Sequence, residues 1–286
     1  MKPSPLYRLF ALPTLIISVG IIVVPALFTY GVSFFKWDGI RIPRFVGLDN
    51  FQQLFADRLF WNALGNNIVW MLIFLTIPIA MGFVAAAMLL ATRRGSQFFQ
   101  VVYFLPVIIA TTITARIWQL MIYSPTSGIN GVLQRMGLPT VDPLAQPSMA
   151  LFGVATVDIW HWWGFLCVVF FAAMRQVPQD HIDAARIDGA GFWQLMRYVL
   201  LPGILPTVRL MMIMTIIWSF LSFDFIYILT QGGPGNSSEV LATLAYTSAF
   251  QKLAVGKAAA ISVVISIFGL ITTAFYIWTQ RTEVET

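Results

Sequence analysis

Charge is scarce in this sequence. Charged residues make up 10% of its 286 positions, against about 25% in an ordinary water-soluble domain. Hydrophobic residues account for 58% and mean hydropathy is +0.80. A water-soluble core could not hide that much apolar surface, so lipid is the expected solvent. Cysteine is nearly absent. The single Cys167 lies inside an apolar run, which excludes an intrachain disulfide and a Cys-rich metal centre. His161 and His181 are the only histidines, and neither has a second ligand at metal spacing. No G-x-x-x-x-G-K-[ST] phosphate loop occurs. Lys2, Lys36, Lys252 and Lys257 all lack the glycine context whose backbone amides cradle phosphate, so any ATP hydrolysis falls to another chain. The net charge of +5 does not indicate nucleic-acid binding, because the basic residues are scattered between apolar runs and form no patch. Basic cytoplasmic loops are usual in membrane proteins.

What is present is a series of apolar stretches of about 20 residues, the length that crosses a bilayer as a helix. Six are expected, over about 12–35, 68–90, 99–122, 149–174, 205–229 and 258–279. The first follows Lys2 and Arg8 but is too long for a typical signal-peptide core and lacks a clear small-residue cleavage site, so it is read as an uncleaved helix. With both termini inside, the cytoplasmic side carries Lys2, Arg8, Arg93, Arg94, Arg175, Arg186, Arg197, Arg209 and Arg281. The outside carries Lys36, Arg41, Arg44, Arg58, Arg135, Lys252 and Lys257. The cytoplasmic segments are shorter, so their basic density is higher, and this orientation is favoured. The outer loops hold turn-formers, among them Ser124 to Gly128 and Gly232-Gly233-Pro234-Gly235.

The segment between the fourth and fifth spans, 177–202, differs from the rest. Pro178 can start a helix with Asp180 favourable at its N-terminal end. Ile182, Ala185 and Arg186 then share a face. Gly189 and Gly191 permit a turn between close-packed backbones. Phe192, Leu195, Met196 and Val199 form an apolar stripe on a second helix, which Pro202 and Pro206 limit. Ala184 and Ala185 leave the first helix thin on one side. By physics alone it is either a helix that seats in a groove on another protein or an ordinary amphipathic surface loop.

Asp183-Ala184-Ala185, then Gly189, then Val199-Leu200-Leu201-Pro202 resembles the EAA loop of binding-protein-dependent ABC importer permeases, in which Glu-Ala-Ala is followed by Gly and by Ile-x-Leu-Pro at the same spacing. Asp for Glu at 183 and Val for Ile at 199 keep the chemistry, with a shorter reach at Asp183. Leu105-Pro106, Gly128-Ile129-Asn130 and Leu229 to Pro234 are similar to patterns of the carbohydrate-type branch. The resemblance implies an all-α polytopic membrane protein with six transmembrane helices and a cytoplasmic coupling loop, the type I ABC importer permease fold, as one transmembrane domain over 1–286. It further implies that Asp183, Ala184, Ala185, Asp188 and Gly189 couple to cytoplasmic ATPase subunits, two copies being expected. The implied partners also include a second homologous permease, a periplasmic or lipid-anchored binding protein and a sugar-like solute. No cofactor is expected in this chain, since ATP and Mg2+ belong to the ATPase. The implied location is the bacterial inner membrane.

A charge at bilayer depth costs about 2.5 kcal/mol or more, so each asks for a reason. Asp158, His161, Trp162 and Phe165 share one helical face, flanked by Trp160 and Trp163. Carboxylates that accept hydroxyl hydrogen bonds, beside aromatic faces, suit a sugar, and the resemblance places substrate contacts in this part of the span. Equally, Asp158 and His161 could satisfy each other while the tryptophans sit in the interfacial belt. Ser219 and Ser222 share a face of the fifth span close to Asp224; they either contact solute or bind helices together. In the third span Thr112, Arg116 and Gln119 share a face and Thr111 lies on another. Thr111 and Arg116 complete the candidate substrate set. Arg116 either pairs with Asp158 or Asp224, or snorkels, or faces a wet cavity where it would suit an anionic solute. Pro25, Pro78 and Pro106 are expected to kink their spans.

A stand-alone proton- or ion-coupled transporter, with Asp158, His161 and Asp224 as a relay, is the competing class. The paired halves of many such transporters are not evident here. An intramembrane enzyme would need Cys167 and His161 to act as nucleophile and base, and they lie on poorly matched faces without an orienting group.

Overall fold

The computed structural model describes residues 5–92, 95–140 and 142–284. Lys2, Arg93 and Arg94, which enter the orientation argument, lie outside the described residues. The chain opens with α1 (Pro5–Ser18), a π turn (Val19–Val23) and α2 (Val24–Val32). A short hairpin of β1 (Phe35–Lys36) and β2 (Arg44–Phe45) follows, then α3 (Asp49–Ala56) and α4 (Arg58–Ala91). Next come α5 (Ser96–Ile108), α6 (Thr111–Met121), α7 (Gly128–Arg135), α8 (Ala150–Met174) and α9 (Gln179–Ile187). The second half holds α10 (Phe192–Leu195), a π turn (Met196–Leu200), α11 (Leu201–Gly203), α12 (Leu205–Leu221), α13 (Asp224–Leu229), α14 (Leu241–Tyr246) and α15 (Val255–Val284). Among the described residues, the runs Leu12–Val32, Arg58–Ala91, Ala150–Met174, Leu205–Leu229 and Val255–Ile277 are long and apolar enough to cross a membrane, and the bent pair α5–α6 makes a sixth.

Two of the expected spans are corrected, and the fifth keeps its bounds with a break inside it. The second begins ten residues earlier than its apolar run, because the polar start of α4 is helical. The third is not one helix: α5 and α6 meet at 93°. Pro106 lacks an N–H and crowds the preceding turn, and the β-branched run Val107, Ile108, Ile109, Thr111, Thr112 is a weak helix former. Ile109 and Ala110 are accordingly extended. The fifth is interrupted where Ser222 leaves the helix in an extended conformation and α13 restarts at Asp224.

Contacts divide the chain into two units. One takes the residues up to Trp61 with Leu244–Ile267. In it Lys257 Nζ donates to Asp57 Oδ2 at 2.8 Å, and Asn50 Nδ2 donates to the Ser33 and Phe35 carbonyls. The other takes Asn62–Thr243 and the residues from Phe268 onward. Its centre is α8. A Cβ on Gly164 would overlap the Tyr103 carbonyl, and one on Gly82 would approach Leu166 Cβ to 2.7 Å. Glycine at these two crossings lets α5 and α4 pack backbone-close onto α8, as small residues do between membrane helices. Two apolar clusters fill the unit. One joins Leu166, Phe170 and Met174 to Ile182, Met196 and Leu200; the other joins Trp70, Phe74, Val154 and Val157 to Phe225, Ile226 and Val240.

Candidate functional site

The second cluster ends against a cavity of about 410 Å³ lined from α4, α6, α8, α12 and α13. Seven of the nine sequence-expected substrate residues line it: Thr111, Asp158, His161, Trp162, Ser219, Ser222 and Asp224. Helical spacing on α8 delivers Asp158, His161 and Trp162 together. Thr111 arrives because the α5–α6 corner places the first residue of α6 at the wall. The break in the fifth span turns Ser222 and the first residue of α13, Asp224, onto the same cavity; a carboxylate in the first turn suits the positive end of the helix dipole. Asp158 is half-buried.

Phe165 and Arg116 stand outside the lining. Phe165 lies beside Trp162, ring centroids 4.7 Å apart. Arg116 is exposed and donates through Nη1 to Gln119 Oε1 at 2.6 Å, one turn along its own helix, rather than pairing with Asp158 or Asp224. The 93° corner directs α6 away from the line a straight third span would follow. Nor do Asp158 and His161 satisfy each other: His161 is buried with Nδ1 unpartnered, its ring edge-on to Phe225 at 5.4 Å. The Ser219 hydroxyl donates back to the Thr215 carbonyl at 2.7 Å, so its lone pairs remain for the cavity.

Sequence reasoning missed Trp218, Trp70 and Phe74, which also line the cavity. Trp218 meets Trp162 edge-to-face, centroids 4.8 Å apart. Its signal was available, because Thr215, Trp218, Ser219 and Ser222 follow the spacing of one helical face. Three asparagines on α4 were missed too. Asn62 donates to the Asn236 carbonyl, Asn66 to those of Ser237 and Glu239, and Asn67 to that of Ser219. They grip the loop before α14 and the end of α12.

The coupling segment forms two helical pieces with a glycine joint. α9 starts after Pro178, has Asp180 in its first turn and Arg186 in its last, and is followed at its C-terminal end by Gly189, φ +80°. Only glycine adopts that conformation without a Cβ penalty. Ile182 is buried against Met196 and Leu200 and seats α9. Leu195, Met196 and Val199 of the expected stripe pack in the core and Leu200 joins them from the π turn over Met196–Leu200, while Phe192 is exposed. Gly191 N–H donates to Gln194 Oε1, capping α10. Asp183 accepts from Gln179 Nε2 at 3.0 Å and from Arg186 Nη1 at 3.4 Å. Ala184, Ala185 and Asp188 line a groove of about 850 Å³ with Tyr198 and Pro202; Asp183 and Gly189 lie outside that lining. Ile187, Trp193 and Tyr198 leave 86%, 68% and 69% of their surface exposed among the described residues.

The comparisons with known proteins agree with this architecture. A family model described as "binding-protein-dependent transport system inner membrane component" matches residues 69–282. The chain is 34% identical to the probable ABC transporter permease protein YurN of Bacillus subtilis, over 92% of this chain and 91% of that one. It is 31% identical to AmyD of Thermoanaerobacterium thermosulfurigenes, a probable starch degradation products transport system permease protein, over 98% and 95%. A crystal structure of a bacterial ABC transporter involved in import of the acidic polysaccharide alginate shares the fold, with TM-score 0.84 at 24% identity, covering 97% of this chain and 95% of that one. The chain therefore belongs to the family of binding-protein-dependent transport system inner membrane components, the membrane-spanning permeases of ABC importers.

Proposed function

We propose that this permease, with a second homologous permease, forms the pathway for a sugar-like solute handed over by a binding protein, and that the 177–202 segment couples it to two cytoplasmic ATPase subunits. The observation that carries the reading is the convergence of Asp158, Asp224 and Ser222 with Trp162 and Trp218 on one cavity. Carboxylate and hydroxyl oxygens accept from sugar hydroxyls, and the indole faces cover the apolar side of a pyranose. The name of AmyD, which concerns starch degradation products, points to the same solute class.

The coupling role is supported by α9, thin at Ala184 and Ala185, beside the exposed Ile187, Trp193 and Tyr198. Aromatic residues are characteristic anchors of protein interfaces. ATP and Mg2+ act in the partner ATPase, whose closure moves α9 and the helices joined to it. Both termini lie in the cytoplasm in this reading, the side to which four crossings return the coupling segment.

Reconstitution in vesicles with the ATPase, second permease and binding protein tests it. Asp158→Asn is expected to cut ATP-driven uptake about tenfold, the loss of charge-assisted hydrogen bonds, while assembly and basal ATPase activity persist. Uptake driven by an ion gradient without the ATPase would reject the proposal in favour of a stand-alone transporter.

A further inference from the structure

The hairpin after α2 carries a charge arrangement that the transport reading leaves unexplained. Lys36 and Arg44 stand directly opposite each other in the β1–β2 register. Like charges placed so are destabilising unless something lies between them. Both are exposed, and neither has an acidic partner among the described residues. The nearby acids are already engaged. Asp38 Oδ1 accepts from the Ile40 and Arg41 backbone amides, and its carboxylate faces the Arg41 guanidinium at 3.7 Å; Asp57 is paired with Lys257. Lys36, Arg41, Arg44 and Lys257, with Asp38, line a cavity of about 410 Å³ in this unit, together with Ala254 just before α15 and Gly256 in its first turn.

Apolar groups alternate with these cations. Ile40 is 81% exposed, Ile42 94% and Phe45 67%. Trp37 packs edge-on against Phe28 of α2, centroids 6.4 Å apart, and donates through Nε1 to the Arg41 carbonyl. The hairpin thus begins three residues after a membrane-crossing helix ends at Val32. Protruding aliphatic side chains, an interfacial tryptophan and unpaired cations at a span end are the features that hold a segment among lipid headgroups.

We propose that Lys36 and Arg44 bind the phosphate of an anionic phospholipid headgroup, with Ile40 and Ile42 of the hairpin turn entering the adjoining acyl region. The anion removes the cross-strand repulsion and fixes the hairpin to the membrane surface. An acidic protein surface would match the charges but would leave the protruding Ile40 and Ile42 without a role.

The full-length chain is placed in nanodiscs of phosphatidylcholine, alone or with an equal part of phosphatidylglycerol, and extracted into neutral detergent. Lipid retained is read by native mass spectrometry and stability by thermal unfolding. Wild type is expected to retain phosphatidylglycerol and to unfold at a higher temperature when it is present. The double variant Lys36→Gln, Arg44→Gln should bind it about thirtyfold more weakly, the loss expected for two cations at an anionic surface. In phosphatidylcholine alone it should be at least as stable as wild type, because the repulsion is gone. The double variant Arg58→Gln, Arg135→Gln, which removes two cations outside the hairpin, should behave as wild type. Equal retention by wild type and the hairpin variant overturns the proposal. So does a hairpin variant that is indifferent to lipid but loses affinity for the solute-binding protein, which would assign the patch to a protein.

Discussion

The side-chain amide of Asn67 donates to the Ser219 carbonyl at 2.8 Å, and its oxygen accepts from the Leu241 N–H at 2.8 Å. Asn67 is wholly buried. The break after Leu221 removes the helical donors that would serve the last carbonyls of α12, and one side chain from α4 replaces one of them. Asn67→Ala leaves a buried carbonyl and a buried N–H without partners. Each such group costs roughly 1–3 kcal/mol, so thermal unfolding in detergent should show a loss of about 3 kcal/mol. Transport should fall further than stability, because Ser222 and Asp224 are placed by the same break.

Much of this arrangement was legible in the sequence, and the exceptions share a cause. Helical spacing alone brought Asp158, His161 and Trp162 onto one face, and Pro178, Asp180 and Gly189 marked both ends of α9. Those signals are local. The asparagines of α4 were not legible, because the backbone groups they serve lie more than 150 residues away in the chain. The placement of Arg116 stayed open in the sequence for a related reason: its direction depends on the corner at Ile109–Ala110, and a proline promises a bend without giving its angle.

Gly189 separates conformational from steric demands. It has φ +80° and nothing within 4 Å of a built Cβ, so a substitution acts through the backbone and not through a clash. Gly189→Val should cost about 2 kcal/mol at this joint and abolish ATP-driven uptake, with weaker docking of the ATPase and unchanged solute affinity of the binding protein. Gly189→Asn should retain much of the transport, since asparagine tolerates the left-handed region. Equal damage from the two variants, read as uptake and ATPase co-purification, would show that side-chain volume matters instead.

The Asp57 carboxyl is held below its ordinary value of 3.8 by the hydrogen bond from the Lys257 ammonium, with help from the Leu59 N–H. Folding therefore favours the ionised form. The stabilisation is complete above the unfolded carboxylate value and is lost as pH falls through the lower folded one. Both side chains are about one-third exposed, so Asp57→Asn should cost about 1 kcal/mol at neutral pH. The difference in unfolding temperature between wild type and variant should shrink as the buffer is taken from neutral to about pH 3. A constant difference would assign the effect to packing rather than charge.

Gly164 and Gly269 sit inside long helices, so a generic helix argument gives both the same response to alanine: a gain of about 0.5–1 kcal/mol from lower unfolded-state entropy and better propensity. Their surroundings separate them. A Cβ at Gly269 meets nothing within 4 Å, whereas one at Gly164 runs into the Tyr103 carbonyl and comes within 3.3 Å of the Phe104 nitrogen. Backbone atoms cannot swing aside as a flexible side chain would, so α5 must move off α8. That movement also disturbs the contact of Tyr103 with Trp163, whose rings lie 4.9 Å apart beside the cavity face of α8. Gly164→Ala should therefore destabilise by about 3 kcal/mol, at the upper end of overpacking, while Gly269→Ala should be neutral or stabilising. Thermal unfolding of the two variants in the same detergent decides between local propensity and helix spacing. Similar shifts of one sign would mean that α5 and α8 do not pack this closely in the folded protein.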